Sequence, residues 1–124
     1  MRGKIVVTAG GTREPLDRVR VISNCSTGAM GAAIVDALAE QGFDVVWIHG
    51  HGSVRPRAVC TDITVDTVAS VEAALRKACA DPEVKAVVHA MAVSDYRSAR
   101  PLTPADLFRH IAGAADEADV ERRL

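Results

Sequence analysis

A β-branched run that ends on paired glycines limits this chain more than anything else in it. Ile5 to Thr8 read as a buried strand, Gly10 and Gly11 follow, and a long loop ends in a second glycine-rich turn, Ser26-Thr27-Gly28-Ala29-Met30-Gly31, which opens a helix. A strand that leads through glycines to a helix start is the layout of an anion site. Glycine lets backbone N–H groups come close to a phosphate, and the helix start adds unpaired donors and a favourable dipole. The compact dinucleotide fingerprint G-x-G-x-x-G turns straight from strand to helix, whereas here about twenty residues part Gly10 from Gly31. The pattern points to a nucleotide site of another kind, with something further built in the intervening loop.

The remainder alternates between strand and helix. Residues 28–41 have helical spacing, with Met30, Ile34, Leu38 and the flanking alanines on the apolar face, Asp36 and Glu40 toward solvent, and Gly42 as the stop. Residues 44–49 read as a second strand, residues 58–65 as a weaker third, and residues 84–90 as a fourth. Thr67 is a candidate cap for a helix over residues 68–80 with Val68, Val71, Ala74, Leu75 and Ala78 inward; Thr103 and Pro104 form a cap and first-turn pair for a terminal helix. The chain is 48% hydrophobic but only 3% aromatic, so its core is built from Val, Ile, Leu and Ala, which suits parallel strands covered by helices. The expectation is one α/β domain over residues 1–124, a Rossmann-like three-layer sandwich with a mostly parallel sheet. No strand follows the final helix, so that sheet reads as incomplete at its C-terminal end.

Ligands of open parallel sheets bind beyond the carboxyl ends of the strands. Three segments gather there: residues 9–31, 49–57 and 90–101. The first carries glycines, the hydroxyls of Ser23, Ser26 and Thr27, the Asn24 amide, and Arg18 and Arg20; the third carries Ser94, Asp95, Tyr96 and Arg97. Arginine forks suit phosphate or carboxylate, and a carboxylate such as Asp95 can orient a hydroxyl or hold Mg²⁺, or else cap a helix or pair on the surface. His49 and His51 resemble a metal pair but have no thiol or carboxylate beside them in sequence, so no metal site is expected. Cys25 lies in the glycine-rich loop without a neighbouring base, so a nucleophile role is not expected of it. The second strand ends His49-Gly50-His51-Gly52 with no acidic residue for a ribose, and no Tyr-x-x-x-Lys pair is present, which counts against an NAD(P)-dependent oxidoreductase.

A net charge of −1, no basic block and few aromatic rings disfavour nucleic-acid partners. Cys25, Cys60 and Cys79 are odd in number and widely spaced, which argues for a reducing, cytoplasmic setting without a disulfide framework. No apolar run is long enough to cross a membrane, and no membrane partner is expected.

Three ordered segments resemble the phosphopantothenate–cysteine ligase (phosphopantothenoylcysteine synthetase) family of coenzyme A biosynthesis: Thr-Ala-Gly-Gly-Thr-Arg-Glu-Pro-Leu-Asp-Arg-Val-Arg-Val-Ile-Ser-Asn at 8–24, Ser-Thr-Gly-Ala-Met-Gly at 26–31, and Met-Ala-Val-Ser-Asp-Tyr-Arg at 91–97. His89 to Tyr96 is most similar to the stand-alone bacterial ligases, and the resemblance covers nearly all of this chain but only the front part of the family's fold. It implies a two-step ligation in which CTP (or ATP) with Mg²⁺ activates the carboxylate of 4′-phosphopantothenate as an acyl-nucleotide, and the cysteine amine then displaces the nucleotide. Carried over by motif, Gly10, Ser26, Gly28 and Gly31 would line the triphosphate site, and Asn24 would contact the acyl-nucleotide as the catalytic residue. Met91, Ala92 and Asp95, with Asn24, would hold phosphopantothenate, and Arg20 would reach it from the partner subunit of a homodimer.

The departures from the family pattern are specific. Ala29 stands where many members have Lys or Arg, and Met91-Ala92 where many have two alanines, though the stand-alone subgroup shares the latter. The family places a lysine on a mobile loop after the Asp-Tyr-Arg segment, whereas the lysines here are Lys4, Lys77 and Lys85, all before it. The alternative reading is therefore a non-catalytic or partner-dependent relative that binds nucleotide or phosphopantothenate.

Overall fold

The computed structural model describes residues 2–99 and 102–123; Arg100 and Pro101, the end of the third candidate loop, lie outside the described residues. In chain order the elements are β1 (Lys4–Ala9), β2 (Arg13–Pro15), β3 (Val21–Ser23), α1 (Ala29–Glu40), β4 (Asp44–His49), β5 (Thr61–Thr64), α2 (Val68–Cys79), β6 (Val84–His89), α3 (Pro104–Ile111) and α4 (Glu117–Arg123). β5, β4, β1 and β6 form one parallel sheet in that order, and β2 pairs antiparallel with β3 outside it.

β1 is central because its run Ile5 to Ala9 can be buried on both sides. It pairs β4 from Lys4↔Asp44 to Ala9↔His49 and β6 on its other edge. Alternate side chains then divide into two cores. Ile5, Val7, Ala9, Val45 and Trp47 pack with Val35 of α1 on one face; Val6, Val46 and Ile48 pack with Val65, Val71 of α2 and Met91 on the other. The sheet with a helix layer on each face is the Rossmann-like α/β fold the pattern predicts. The strand order reverses direction at β1, which opens a crevice between the ends of β1 and β6, the place where such sheets bind ligands.

Several local expectations change. Ile34 and Leu38 of α1 pack against the first core as expected, with Gly31, Ala32 and Val35 buried deepest, but Met30 is 72% exposed. The helix sits so close to β1 that a Cβ on Gly31 would lie 2.3 Å from the Ala9 Cβ, and this contact sets its rotation. Asp36 is half-buried and not solvent-facing, because Arg57 and Ala58 donate their N–H groups to its Oδ1, each at 2.8 Å. The third strand keeps only Thr61–Thr64 of the expected 58–65. The long loop after β1 contains the β2–β3 hairpin. The segment after Thr103 folds as two short helices rather than one, with Gly113 at φ +74° between them, and neither has a buried residue. β6 is an edge of the described sheet, with Lys85, Ala86, Val87 and His89 exposed.

Candidate functional site

The loops after β1 and β6 are knitted together at the crevice by backbone. Ala92 donates its N–H to the Gly10 carbonyl at 2.9 Å, and its own carbonyl accepts from Thr12 N at 3.1 Å and from the Asn24 side-chain amide at 2.9 Å. Asn24 N also donates to the Thr12 carbonyl at 3.4 Å. Asn24 and Ala92, singled out separately in the sequence, are thus in direct contact, with Gly10 hydrogen-bonded to the same residue. Thr12, fully buried, adds a second tie: its Oγ1 accepts from Ser94 N at 2.9 Å and lies 3.0 Å from Ser94 Oγ.

The loop after β4 closes the same floor. Gly50 donates to the Ala9 carbonyl at 3.1 Å, and a Cβ on Gly50 would fall 2.0 Å from the Gly11 carbonyl oxygen. Gly10 (φ +82°) and Gly28 (φ +80°) both face Ser53: a Cβ on Gly10 would be 2.0 Å from its Oγ, and one on Gly28 3.0 Å from its Cβ. Positive φ and lack of space together make glycine the only comfortable residue at these two positions. Val54 N–H donates to the Thr27 carbonyl at 2.9 Å, which fixes the approach to α1. The helix begins at Gly28 without a capping side chain and without an acidic residue in its first turn. Thr27 Oγ1 accepts the Ala29 N–H at 3.3 Å, and the remaining first-turn donors with the dipole leave an electropositive end beside the glycines. Ser26 and Thr27 are exposed at this end, whereas Gly31 is buried against Ala9 and seats the helix.

Other expected site residues sit differently. The Met91 side chain is 8% exposed and belongs to the second core, so only its backbone faces the loops. Arg20 lies in the turn of the β2–β3 hairpin, where its guanidinium pairs with Asp17 at 2.5 Å and remains largely exposed. The Arg20 side chain, then the N–H groups of Val19 and Arg20, hold the Asp17 carboxyl below the usual carboxylate range. Asp95 is exposed and lines a cleft of about 760 Å³ between the hairpin, the first turn of α2 and residues 94–99.

His49 and His51 take different partners. His51 Nε2 lies 3.6 Å from Asp66, while buried His49 places Nε2 2.5 Å from Asp62 Oδ1 and Nδ1 3.0 Å from the Gly50 carbonyl. Asp62 also pairs with Arg55 at 2.5 Å; His49 first and Arg55 second keep its carboxyl below the usual range. The end of β4 therefore does meet a carboxylate, brought from β5 and already paired. Sequence reading missed Thr12, Ser53, Asp62 and the buried Glu14. Glu14 and Thr12 lie within the quoted motif, and their alternation was the one available signal that both turn inward. Among the described residues no group of three or more His, Cys, Asp or Glu stands together to hold a metal, and no helix is long and apolar enough to cross a membrane.

Residues 1–104 match the family described as DNA/pantothenate metabolism flavoprotein C-terminal domain. The chain is 41% identical over 102 residues to the coenzyme A biosynthesis bifunctional protein CoaBC of Mycobacterium bovis, a match covering 81% of this chain and 24% of that protein. It is 40% identical over 95 residues to the Escherichia coli protein of the same name, covering 77% and 23%. The chain thus spans about a quarter of the curated relatives it matches. Among solved structures, the C-terminal domain of CoaBC superposes with a TM-score of 0.71 at 32% identity, covering 78% of this chain and 48% of that one. The DNA/pantothenate metabolism flavoprotein from Streptococcus pneumoniae gives 0.70 at 32%, covering 77% and 42%.

Proposed function

The chain belongs to the DNA/pantothenate metabolism flavoprotein C-terminal domain family, and on that premise we propose that it is the nucleotide- and phosphopantothenate-binding unit of a phosphopantothenate–cysteine ligase in coenzyme A biosynthesis. The observation that carries this reading is the close packing of Gly10 and Gly28 against Ser53, with Gly50 against Gly11, beside the glycine-capped start of α1. Ser53 occupies the space a side chain at Gly10 or Gly28 would need, so both positions stay bare backbone at the start of α1, where a polyanion can approach closely. The triphosphate of CTP or ATP fits it by charge and by close approach.

In this reading Gly10, Gly28 and the exposed Ser26 contact the phosphates, and Gly31 contributes by seating the helix that presents its amides. Asn24, anchored through Ala92, offers its side chain to the acyl oxygen, which gains negative charge as the carbonyl is attacked. Asp95 and the backbone of Met91 and Ala92 hold phosphopantothenate, and Arg20, exposed at the hairpin turn, serves the site of a partner subunit. Mg²⁺ bound to the nucleotide's phosphates would neutralise part of their charge. The reaction joins the phosphopantothenate carboxylate to the nucleotide with release of pyrophosphate, then forms an amide as the cysteine amine displaces the nucleotide monophosphate.

The test is mass spectrometry of the purified chain with 4′-phosphopantothenate, Mg²⁺ and CTP or ATP, with and without cysteine. An acyl-nucleotide that cysteine converts to phosphopantothenoylcysteine is the expected product. An acyl-nucleotide that persists with cysteine present limits the chain to the first half-reaction. Absence of any adduct from folded protein overturns catalysis by this chain alone and leaves the binding-only alternative.

A further inference from the structure

Resting on the ligase reading, we propose that the cleft between the β2–β3 hairpin and the first turn of α2 is a subsite for a small amino acid, with Glu14 as the residue that holds its ammonium group. The Glu14 side chain lines this cleft although the residue is only 6% exposed. Its Oε1 accepts the Val68 N–H at 2.8 Å, and among the described residues no cation pairs with it, so Oε2 is left open to the cleft. A largely buried carboxylate with one open oxygen is best completed by an opposite charge. The α2 start supplies part of this through one N–H and its dipole. The open oxygen faces a cavity large enough for a ligand, and a positively charged group completes it.

The other lining groups narrow the ligand. Glu72 is already paired with Arg76 at 2.8 Å, whereas Asp95 and Arg97 have no ion-pair partner among the described residues. A cleft that presents the Glu14 carboxylate together with the Arg97 guanidinium matches a molecule carrying an ammonium and a carboxylate close together. Position agrees with the reaction. Thr12 and Glu14 alternate onto the same side of the extended chain, Thr12 Oγ1 holds Ser94 of the cleft wall, and Thr12 N and the Asn24 amide share the Ala92 carbonyl. One stretch of chain therefore carries Glu14 in the cleft and, through Thr12 and the Ala92 carbonyl, is tied to Asn24.

The competing explanation is that Glu14 only anchors α2. Glu14→Gln separates the two, because it keeps an oxygen for the Val68 N–H and removes the charge. The measurement is an amide NMR titration of the chain with L-cysteine, with cysteamine (ammonium but no carboxylate) and with N-acetylcysteine (no ammonium). Saturable shifts at Val68, Ser94 and Asp95 are expected with the first two and not with the third. Glu14→Gln should weaken cysteine binding by about tenfold or more, the loss expected for a charge-assisted contact. Arg97→Gln, which touches no anchor of α2, should lower cysteine to the affinity of cysteamine. No saturable shift, equal binding of N-acetylcysteine, or undiminished binding by both variants overturns the subsite. Cysteine binding here without acyl-nucleotide formation overturns catalysis by this chain alone and leaves the subsite standing. Acyl-nucleotide formation with no response in the cleft sinks the subsite alone.

Discussion

Asp36 shows how a single carboxylate reaches the candidate site from a distance. Its Oδ1 takes the N–H groups of Arg57 and Ala58, and its Oδ2 lies 3.4 Å from Arg57 Nε, so it pins the far end of the loop that carries Ser53 and Val54. The Ala58 N–H above all, helped by Arg57, holds the Asp36 carboxyl below the usual range against a desolvation effect of opposite sign. In the unfolded chain this group has the ordinary aspartate value of about 3.9. With the folded value depressed, the unfolded state takes up the proton first as acid is added. The stabilisation is therefore complete above the ordinary value and is lost as pH falls through the folded one. Asp36→Asn keeps an acceptor oxygen but cannot titrate. Thermal unfolding followed from neutral pH downward should show the parent chain losing more stability than this variant below about pH 4. Parallel curves for the two proteins would mean that the tether carries no charge-dependent stability.

At the scale of elements, α2 illustrates what local rules can specify. Thr67 Oγ1 accepts from Ser70 N at 3.2 Å, and Ser70 Oγ accepts in return from Thr67 N at 2.9 Å, so both first-turn donors are satisfied within four residues of sequence. Thr67→Ala should cost about 1 kcal/mol, read as a lower denaturant midpoint at unchanged slope. An unchanged midpoint would mean that the Val68 N–H bond to Glu14 fixes the helix start without the cap. Thr67 was legible because a cap is a local pattern, and β1 and β4 were legible because continuous apolar runs mark strands buried on both faces. The rotation of α1 was not, since it depends on Gly31 meeting Ala9, a contact between elements. Nor was the β2–β3 hairpin, whose three-residue strands include Pro15 and are held from outside: Arg13 donates its N–H to the Asp66 carbonyl at 2.7 Å and its Nε to the Asp66 carboxylate at 2.9 Å. The same division runs through the site. The glycines announced themselves, but Ser53 and Glu14 acquire a role only when the loops after β1 and β4 and the start of α2 come together.

Across the whole molecule, burial is unequal, and stability should follow it. β1 is paired on both edges and covered on both faces, with Val6, Val7 and Ala9 fully buried, and β4 is nearly as enclosed through Trp47 and Ile48. β6 is paired along β1 only and exposes Val87, while α3 and α4 bury no residue and leave Leu107 at 42% and Phe108 at 70% exposed. Little apolar surface would be newly exposed if those two helices opened, so their local opening free energy lies near the bottom of the range and that of β1 near the global value. Hydrogen exchange read by mass spectrometry should therefore proceed in order: peptides over residues 104–123 first, β6 next, and β1 and β4 last. Exchange of α3 and α4 at the rate of β1 would require the helices to be covered by something beyond these contacts. It would show that the stable unit of this chain is larger than the four-stranded sheet and the two helices packed on it.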